Sequence, residues 1–536
     1  MENYDFIIIG AGSAGCVLAE RLSASGRERV LVLEAGGSDN SFWIRTPIGY
    51  GRTFASDSVN WKYQTLPNPA LGGRTMYWPR GRVIGGSSSI NALVYCRGMP
   101  VDFEDWRAMG NVGWGWDDVR PYFEKNERRV DPDGRATTQG ALDVKNVEPF
   151  LHATRNTWFA AAKELGLPRS DDFNGEHPEG FGCYPITVRN GRRWSAADAF
   201  LRPALRRSNV RLETHAWVSR IRMQGRSAVG VDFMRAGQGH SIDANREVIL
   251  CGGAVNSPQL LQLSGVGPAP LLSTLGIPVV LDNPAVGGNL QDHLGVSYYY
   301  EATQKTLNDE LHSPFRQFLA GVRYLATRRG PLGLSVNQFG AFLRARPDGK
   351  RPDQQLYFSP VSYGAGDATR KRIEVDAFSG FLMCYQPTRP TSRGRIDILS
   401  ADYRDSPGIA PNYLGTEEDV ADVINGGRLV QRIVRTQALR SLIKRPVGPD
   451  IAQMDDAAVV ADFRERAATV YHPVSTCRMG SRPENSVVDS NLRVHGMNRL
   501  RVVDASVFPT VTSANTNAPT LMVARRAADI ILASGT

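Results

Sequence analysis

The sequence has no run of about 18 or more apolar residues, which excludes a helix that crosses a bilayer. It opens directly into an apolar stretch with no basic leader, so a cytoplasmic protein is expected. Its six cysteines (Cys16, Cys96, Cys183, Cys251, Cys384, Cys477) are far apart and form no CxxC pair. That argues against a zinc site and against a disulfide framework, and reduced, mostly buried thiols are expected. The eight histidines include no HxxxH or HxH pair, so no metal is expected. No Gly-x-Ser-x-Gly elbow occurs, and no Ser/His/Asp set can be assembled. Repeats and low-complexity tracts are also lacking. Acids are outnumbered by bases, for a net charge of +9. The basic clusters at Arg192-Arg193, Arg206-Arg207, Arg328-Arg329 and Arg370-Lys371-Arg372 are scattered and lack interleaved aromatics. Nucleic acid is therefore not an expected partner. Solvated faces are the ordinary reading, and an acidic surface such as a membrane face is the other.

What is present begins with glycine. The chain has 536 residues, too many for one core, so two domains are expected. Residues 4–9 are an apolar run. Gly10-Ala-Gly12-Ser-Ala-Gly15 follows, then apolar residues at helical spacing, then residues 30–33 ending at Glu34. This is strand, glycine turn, helix, strand. Gly10 permits the turn, Gly12 lets the backbone approach a pyrophosphate, and Gly15 lets helix and strand pack closely. The helix start offers unpaired N–H groups to the phosphates. A carboxylate at Glu34 accepts from both ribose hydroxyls and repels a 2′-phosphate. This unit disfavours NADP and leaves NAD and FAD open.

Residues 41–80 read as an extended surface excursion. Gly85-Gly86-Ser87-Ser88-Ser89 resembles a second anion-binding turn opening a helix, with more serines than a cap requires. Trp106, Trp114 and Trp116 read as packing aromatics. A helix is expected near 157–165. Residues 210–215, 218–223, 228–235 and 241–250 alternate as an antiparallel meander. The last strand runs into Cys251-Gly252-Gly253-Ala254, a further glycine turn, and a helix at 257–263. Residues 300–455 mix helices (314–327, 417–436) with strands (355–358, 395–399) and have no phosphate-type glycine loop. The last 80 or so residues return to glycine turns, with a strand at 500–503 leading into Asp504, and are expected to rejoin the N-terminal portion.

Two late segments carry candidate chemistry: Tyr471-His472-Pro473 through Gly480, and Ser513-Ala514-Asn515-Thr516-Asn517. Pro473 holds its predecessor extended and so fixes the direction of the His472 ring. On these residues alone His472 reads first as a satisfied structural histidine, and Asn515 and Asn517 equally as a turn.

Taken together, residues 10–15 with Glu34, 81–91, 253–267 (GAVNSPQLLQLSGVG), 286–293 (VGGNLQDH), 472–480 and 501–519 resemble the glucose–methanol–choline (GMC) flavoprotein oxidoreductases. The similarity runs over essentially the whole chain and is strongest to bacterial alcohol, choline and L-sorbose dehydrogenases. It implies a mixed α/β fold: a Rossmann-like FAD-binding domain with a discontinuous substrate-binding cap built on an antiparallel sheet. The expected boundaries are 1–155, 190–305 and 460–536 for the FAD domain, and 156–189 with 306–459 for the cap. The resemblance implies non-covalent FAD. Gly10, Gly12, Ser13, Ala14 and Gly15 would hold the pyrophosphate, and Glu34 with Ala35 the adenosine ribose. Arg82, Gly85, Gly86, Ser87, Asn91 and Ala92 would lie along the cofactor. Val218 would meet the adenine, Asp504 and Ala505 the ribityl chain and phosphates, and Asn517 the flavin ring.

His472 and Asn515 match the family's active-site pair. The implied reaction is oxidation of an alcohol, either a primary alcohol or a polyol or sugar such as L-sorbose. His472 takes the hydroxyl proton while hydride passes to flavin N5. The expected partners are the alcohol and an acceptor other than NAD: a quinone, a dye-like acceptor or O2. An O2-using alcohol oxidase, a choline dehydrogenase and a redox-silent lyase are the alternatives. Four positions depart from the family pattern. Ile90 stands where some members carry the histidine that attaches FAD. Ser475 stands where Gly is frequent, and Arg525 where the last helix usually has Glu. Ala92 replaces a serine seen near the flavin in choline oxidation. In the cap, Tyr357, Phe358, Phe381 and Tyr385 are candidates for the pocket lining, with core packing the expected role for most of them.

Overall fold

The computed structural model describes residues 3–346, 348–364 and 374–534; the basic cluster at 370–372 lies outside them. Strand β1 (Tyr4–Ile9), helix α1 (Ser13–Leu22) and strand β2 (Val30–Glu34) form the expected unit. Apart from the partly exposed Asp5 and the terminal Glu34, both strands are apolar and buried on both faces, as parallel strands covered by helices must be. They belong to a seven-stranded sheet ordered Val210–Thr214, β2, β1, Gln238–Leu250, Ser227–Arg235, Trp217–Gln224, with Leu500–Val502 also pairing with Gln238–Leu250.

The 13-residue strand Gln238–Leu250 has two roles. Its first half closes an antiparallel meander with Ser227–Arg235, and its second half runs parallel to β1 and to Leu500–Val502. One expectation is corrected here. Val210–Thr214 is not part of the meander; it pairs parallel with β2 at the sheet edge. An edge strand with one face covered alternates like a hairpin strand, so the pattern did not reveal its direction. The parallel strands end together, which puts the Gly10 turn, Glu34, the Cys251–Gly253 turn and Asp504 at one edge, where α/β sheets bind ligands.

A second sheet is antiparallel, ordered Ile443–Val447, Leu294–Ala302, Gly380–Pro387, Gln354–Ser359, Phe339–Leu343, Gly180–Cys183. Side chains alternate across it. One face stacks Phe339, Phe358, Phe381 and Tyr300 in a row at 4.9–5.1 Å between ring centroids. That face is the core of this half, covered by helices that include Arg155–Glu164 and Glu417–Val434. The other face carries Ser297, Tyr299, Tyr357, Leu382 and Cys384, which form a wall of the cavity described next. Tyr357 is therefore a lining residue, while Phe358, Phe381 and Tyr385 are core. Trp106 and Trp114 are fully buried, as expected of packing aromatics.

Candidate active site

A cavity of about 910 Å³ runs between the two sheets, at the large end of the ~300–1,000 Å³ typical of small-molecule sites. Gly10, Gly12, Ser13, Ala14, Glu34, Ala35, Gly86, Ser87, Asn91, Ala92, Val218, Asp504, Ala505, Asn517, His472 and Asn515 all line it. Three residues assigned to the cofactor from the sequence do not. Gly15 serves packing, since a Cβ there would lie 1.9 Å from the Gly10 carbonyl. Gly85 supplies a left-handed turn (φ +86°) beside the Ser89 hydroxyl. The Arg82 guanidinium turns away to the Asp57 carbonyl and lies over Trp61 and Trp217.

The cradle is built from backbone. A Cβ on Gly86 would stand 2.7 Å from Gly12 Cα, so the two glycine turns meet face to face at the start of α1. The segment Gly86–Ser89 is a single 3-10 turn and opens no α-helix. Its serines fasten the loop instead: Ser87 Oγ accepts from Gly81 N, Ser88 Oγ donates to the Gly85 carbonyl, and Ser89 Oγ to that of Ile84. The buried Arg193 clamps the next residues by donating to the Asn91 side chain and carbonyl and to the Ser88 carbonyl. Burial lowers its pKa to about 9.

Glu34 accepts from Ala11 N and Gly36 N, both at 2.8 Å, one on each oxygen. Each oxygen keeps a second lone pair for a hydroxyl. Burial pushes this carboxyl up to about 7. Asp504 accepts from Gly253 N and Ser257 Oγ, so it caps the Cys251–Gly253 turn. That turn and the start of the Gly253–Leu263 helix also line the cavity. The sequence displayed this glycine turn, but it was not assigned to the cofactor.

At the other end of the lining, Pro473 and the interactions of its neighbours fix His472. Its backbone N–H donates to Asp292 Oδ1 (2.7 Å), and the carbonyl of Tyr471 accepts from Arg80. Tyr471 and Ser475 both have left-handed backbones (φ +69° and +76°). Asp292 is buried, and its pKa is raised to about 6 by that burial. The ring of His472 makes two contacts: Nδ1 lies 3.0 Å from Nδ1 of His293, and Nε2 lies 3.0 Å from Nδ2 of Asn515. His293 Nε2 lies 2.9 Å from the Thr388 carbonyl.

These partners fix the tautomers. A carbonyl only accepts, so His293 carries its proton on Nε2. Burial lowers the His293 pKa to about 4, so its Nδ1 is a bare acceptor. His472 must then donate from Nδ1, which leaves a lone pair on Nε2 facing Asn515 and the cavity. Burial, with smaller effects from His293 and Arg80, holds His472 well below its ordinary pKa. Asn515 Oδ1 accepts in turn from the Tyr357 hydroxyl at 3.4 Å. The site therefore holds a neutral, oriented imidazole with its basic nitrogen exposed to the cavity. Sequence reasoning missed the part played by Asp292 and His293, although both close the VGGNLQDH motif.

Models of the GMC oxidoreductase family match the chain over residues 4–295 and 390–524. The chain belongs to the GMC oxidoreductase family. The mitochondrial choline dehydrogenase of Mus musculus is 42% identical over 99% of this chain and 89% of its own length. The alcohol dehydrogenase [acceptor] of Pseudomonas putida is 41% identical over 99% and 96%. Among solved structures, pyridoxine 4-oxidase from Mesorbium loti superposes with a TM-score of 0.87 at 30% identity, covering 98% of this chain and 99% of that one. As a GMC oxidoreductase the protein is an FAD-dependent enzyme acting on CH–OH donors.

The cavity fits that cofactor. It joins a glycine cradle at a helix start and a strand-end carboxylate to a histidine–asparagine pair in one continuous lining. Ile90, at the position of covalent attachment in some members, lines the cavity with an alkyl side chain that cannot form such a bond. Among the described residues no helix is long and apolar enough to cross a membrane.

Proposed function

We propose that the protein oxidises primary alcohols with an apolar chain to aldehydes and passes the electrons to an acceptor other than NAD. The carrying observation is the His472 Nε2–Asn515 Nδ2 pair at 3.0 Å in the cavity lining. Val94, Tyr357, Ala514 and Cys384 pack together there. Among the described lining residues the acids are Glu34 and Asp504, engaged at the glycine turns, and the exposed Glu374 and Glu465. None is buried beside His472, which disfavours a polyol or a substrate held by a deep charge.

In this reading His472 takes the hydroxyl proton at Nε2 as the C–H bond breaks. The imidazolium keeps its Nδ1–H on His293, so no second proton has to move. The Asn515 amide turns its N–H to the substrate oxygen and fixes the carbinol carbon. Bound FAD supplies the hydride acceptor. Gly10, Gly12, Ser13, Ala14, Glu34, Gly86, Ser87, Asn91, Asp504, Ala505 and Asn517 hold it, joined by the Cys251–Gly253 turn. Residues 156–189 and 306–459, with the strand Leu294–Ala302, form the substrate side.

Choline is the second reading, favoured by Tyr299 and Tyr363, which meet edge to face at 5.9 Å in the lining and offer rings to a quaternary ammonium. Anaerobic bleaching of the bound flavin by 1-alkanols, choline and L-sorbose separates these. Fastest bleaching by a 1-alkanol is expected. Faster bleaching by choline or L-sorbose overturns the preference, and no bleaching by any alcohol overturns the redox reading in favour of a lyase. His472→Ala should retain FAD and slow its reduction about a hundredfold, the usual scale of lost general-base catalysis.

A further inference from the structure

The helix Pro314–Thr327 is apolar on its outside. Ser313 caps it by accepting from Arg316 N, Pro314 opens it, and Arg328 ends it in a left-handed turn (φ +57°). Only Ala320 and Tyr324 are buried, and the Tyr324 hydroxyl is tied to the Gly191 carbonyl. Phe315, Phe318, Leu319, Val322 and Leu325 are exposed at 69, 65, 49, 47 and 57%. Their spacing puts them on one arc of the helix, opposite the buried side. Five of the fourteen large apolar residues exposed among the described residues fall on this one helix, a clustering that single scattered residues do not produce.

The charge around the arc has one sign. Arg316 and Arg323 lie together along one side of it, Arg316 also donating to the Asp309 carbonyl, and Arg328 and Arg329 follow its end. No Asp or Glu occurs from Leu311 to Arg329. The nearest acids in sequence are the half-buried Asp309, which faces Arg316, and the exposed Glu310, both on the preceding turn. An apolar face bordered by arginines is the pattern of a helix lying in a bilayer surface, with its apolar side in the acyl boundary and its guanidinium groups among lipid phosphates.

The position relative to the cavity is close. Ala320 and Tyr324 belong to a small buried cluster with Leu307, Leu311, Leu332, Val336 and Val361, and Tyr50 and Tyr363 pack against it. Tyr50 and Tyr363 also line the cavity. One layer of side chains therefore separates this helix from the catalytic cavity.

We propose that the Pro314–Thr327 helix docks the enzyme on the surface of an anionic phospholipid bilayer, with its apolar arc inserted and Arg316, Arg323, Arg328 and Arg329 at the headgroups. Charge favours this occupant over a second copy. Pairing the arc with itself antiparallel across a two-fold axis brings the two arginine borders together on one side, whereas anionic lipid neutralises them. The docking adds to the oxidoreductase reading and does not depend on which alcohol is oxidised.

The test uses the full-length FAD-loaded enzyme and co-sedimentation with phosphatidylcholine vesicles with and without phosphatidylglycerol. Wild type should pellet with the anionic vesicles and detach as salt rises. The double variant Phe318→Glu/Leu325→Glu should lose vesicle binding at least about tenfold. Arg316→Gln/Arg323→Gln should lose the preference for anionic lipid. Alcohol oxidation with a water-soluble dye acceptor should stay within about twofold in all of them, because these side chains lie on the outer face of the helix, away from the cavity. Wild type that stays in the supernatant with both vesicle types overturns the proposal. So does undiminished binding by the Phe318→Glu/Leu325→Glu enzyme. A dimer in lipid-free solution that this variant converts to monomer assigns the face to a second copy and overturns it as well.

Discussion

His293 and His472 meet Nδ1 to Nδ1 at 3.0 Å, and only one of these two nitrogens carries a hydrogen. The Thr388 carbonyl decides which, because it requires the proton of His293 on the far nitrogen. A residue with no access to the reacting atoms thus selects the tautomer of the one that has it. His293→Leu leaves His472 free to carry its proton on Nε2, where it blocks the base. Flavin reduction should slow by roughly one to two orders of magnitude with FAD retained. His293→Gln, whose amide oxygen can accept from Nδ1, should recover part of the loss. Stopped-flow reduction at wild-type speed in the leucine variant would remove His293 from the mechanism.

The acid limb of the reaction should lie low. A base works only when neutral, so activity is lost as pH falls through its pKa. Burial, His293 and Arg80 all hold that pKa below the ordinary imidazole value. The acid limb of kcat/KM should lie below the ordinary imidazole pKa of about 6.5. Arg80→Met removes one of the depressing charges and should move the limb upward. A wild-type inflection at or above pH 7 contradicts this assignment.

Ser475 lies at φ +76° with a buried hydroxyl that has no hydrogen-bond partner. A left-handed backbone costs a non-glycine residue about 1–2 kcal/mol, and an unsatisfied buried hydroxyl adds to that. Ser475→Gly relieves both and should stabilise the folded enzyme by about 1 kcal/mol despite the greater freedom of glycine when unfolded. Denaturant midpoints of the two holoenzymes check it; a lower midpoint for the glycine variant refutes it.

The alkyl side chain at Ile90 predicts a releasable cofactor. Acid precipitation of the holoenzyme should leave all the flavin in the supernatant, and the pellet should be colourless. Yellow colour that stays with the protein would require a covalent link through some other residue.

The opening β1–α1–β2 unit was legible because its signals are local: two apolar runs, three glycines and a carboxylate within about thirty-five residues. The helix at 314–327 was legible to the residue from its periodicity. The direction of Val210–Thr214 was not, because alternation reports which face is covered and says nothing of the neighbour's direction. Nor could Tyr357 be separated from Phe358, since the face a strand turns to a cavity is set by what lies across from it. The three serines of the 87–89 turn looked like a cap in excess; each instead fastens a different part of one loop. His293 stood in plain view in a motif, but its function depends on a partner 179 residues away. No spacing rule connects them.

The two faces of the antiparallel sheet separate what can vary from what must persist. Positions 297, 299, 357, 382 and 384 face the cavity, while 298, 300, 356, 358, 381, 383 and 385 hold the core. A change of substrate can therefore be written in every second letter of these strands without touching the stack of rings behind them. Selection, natural or in the laboratory, has in this wall a panel that can be replaced without rebuilding the house.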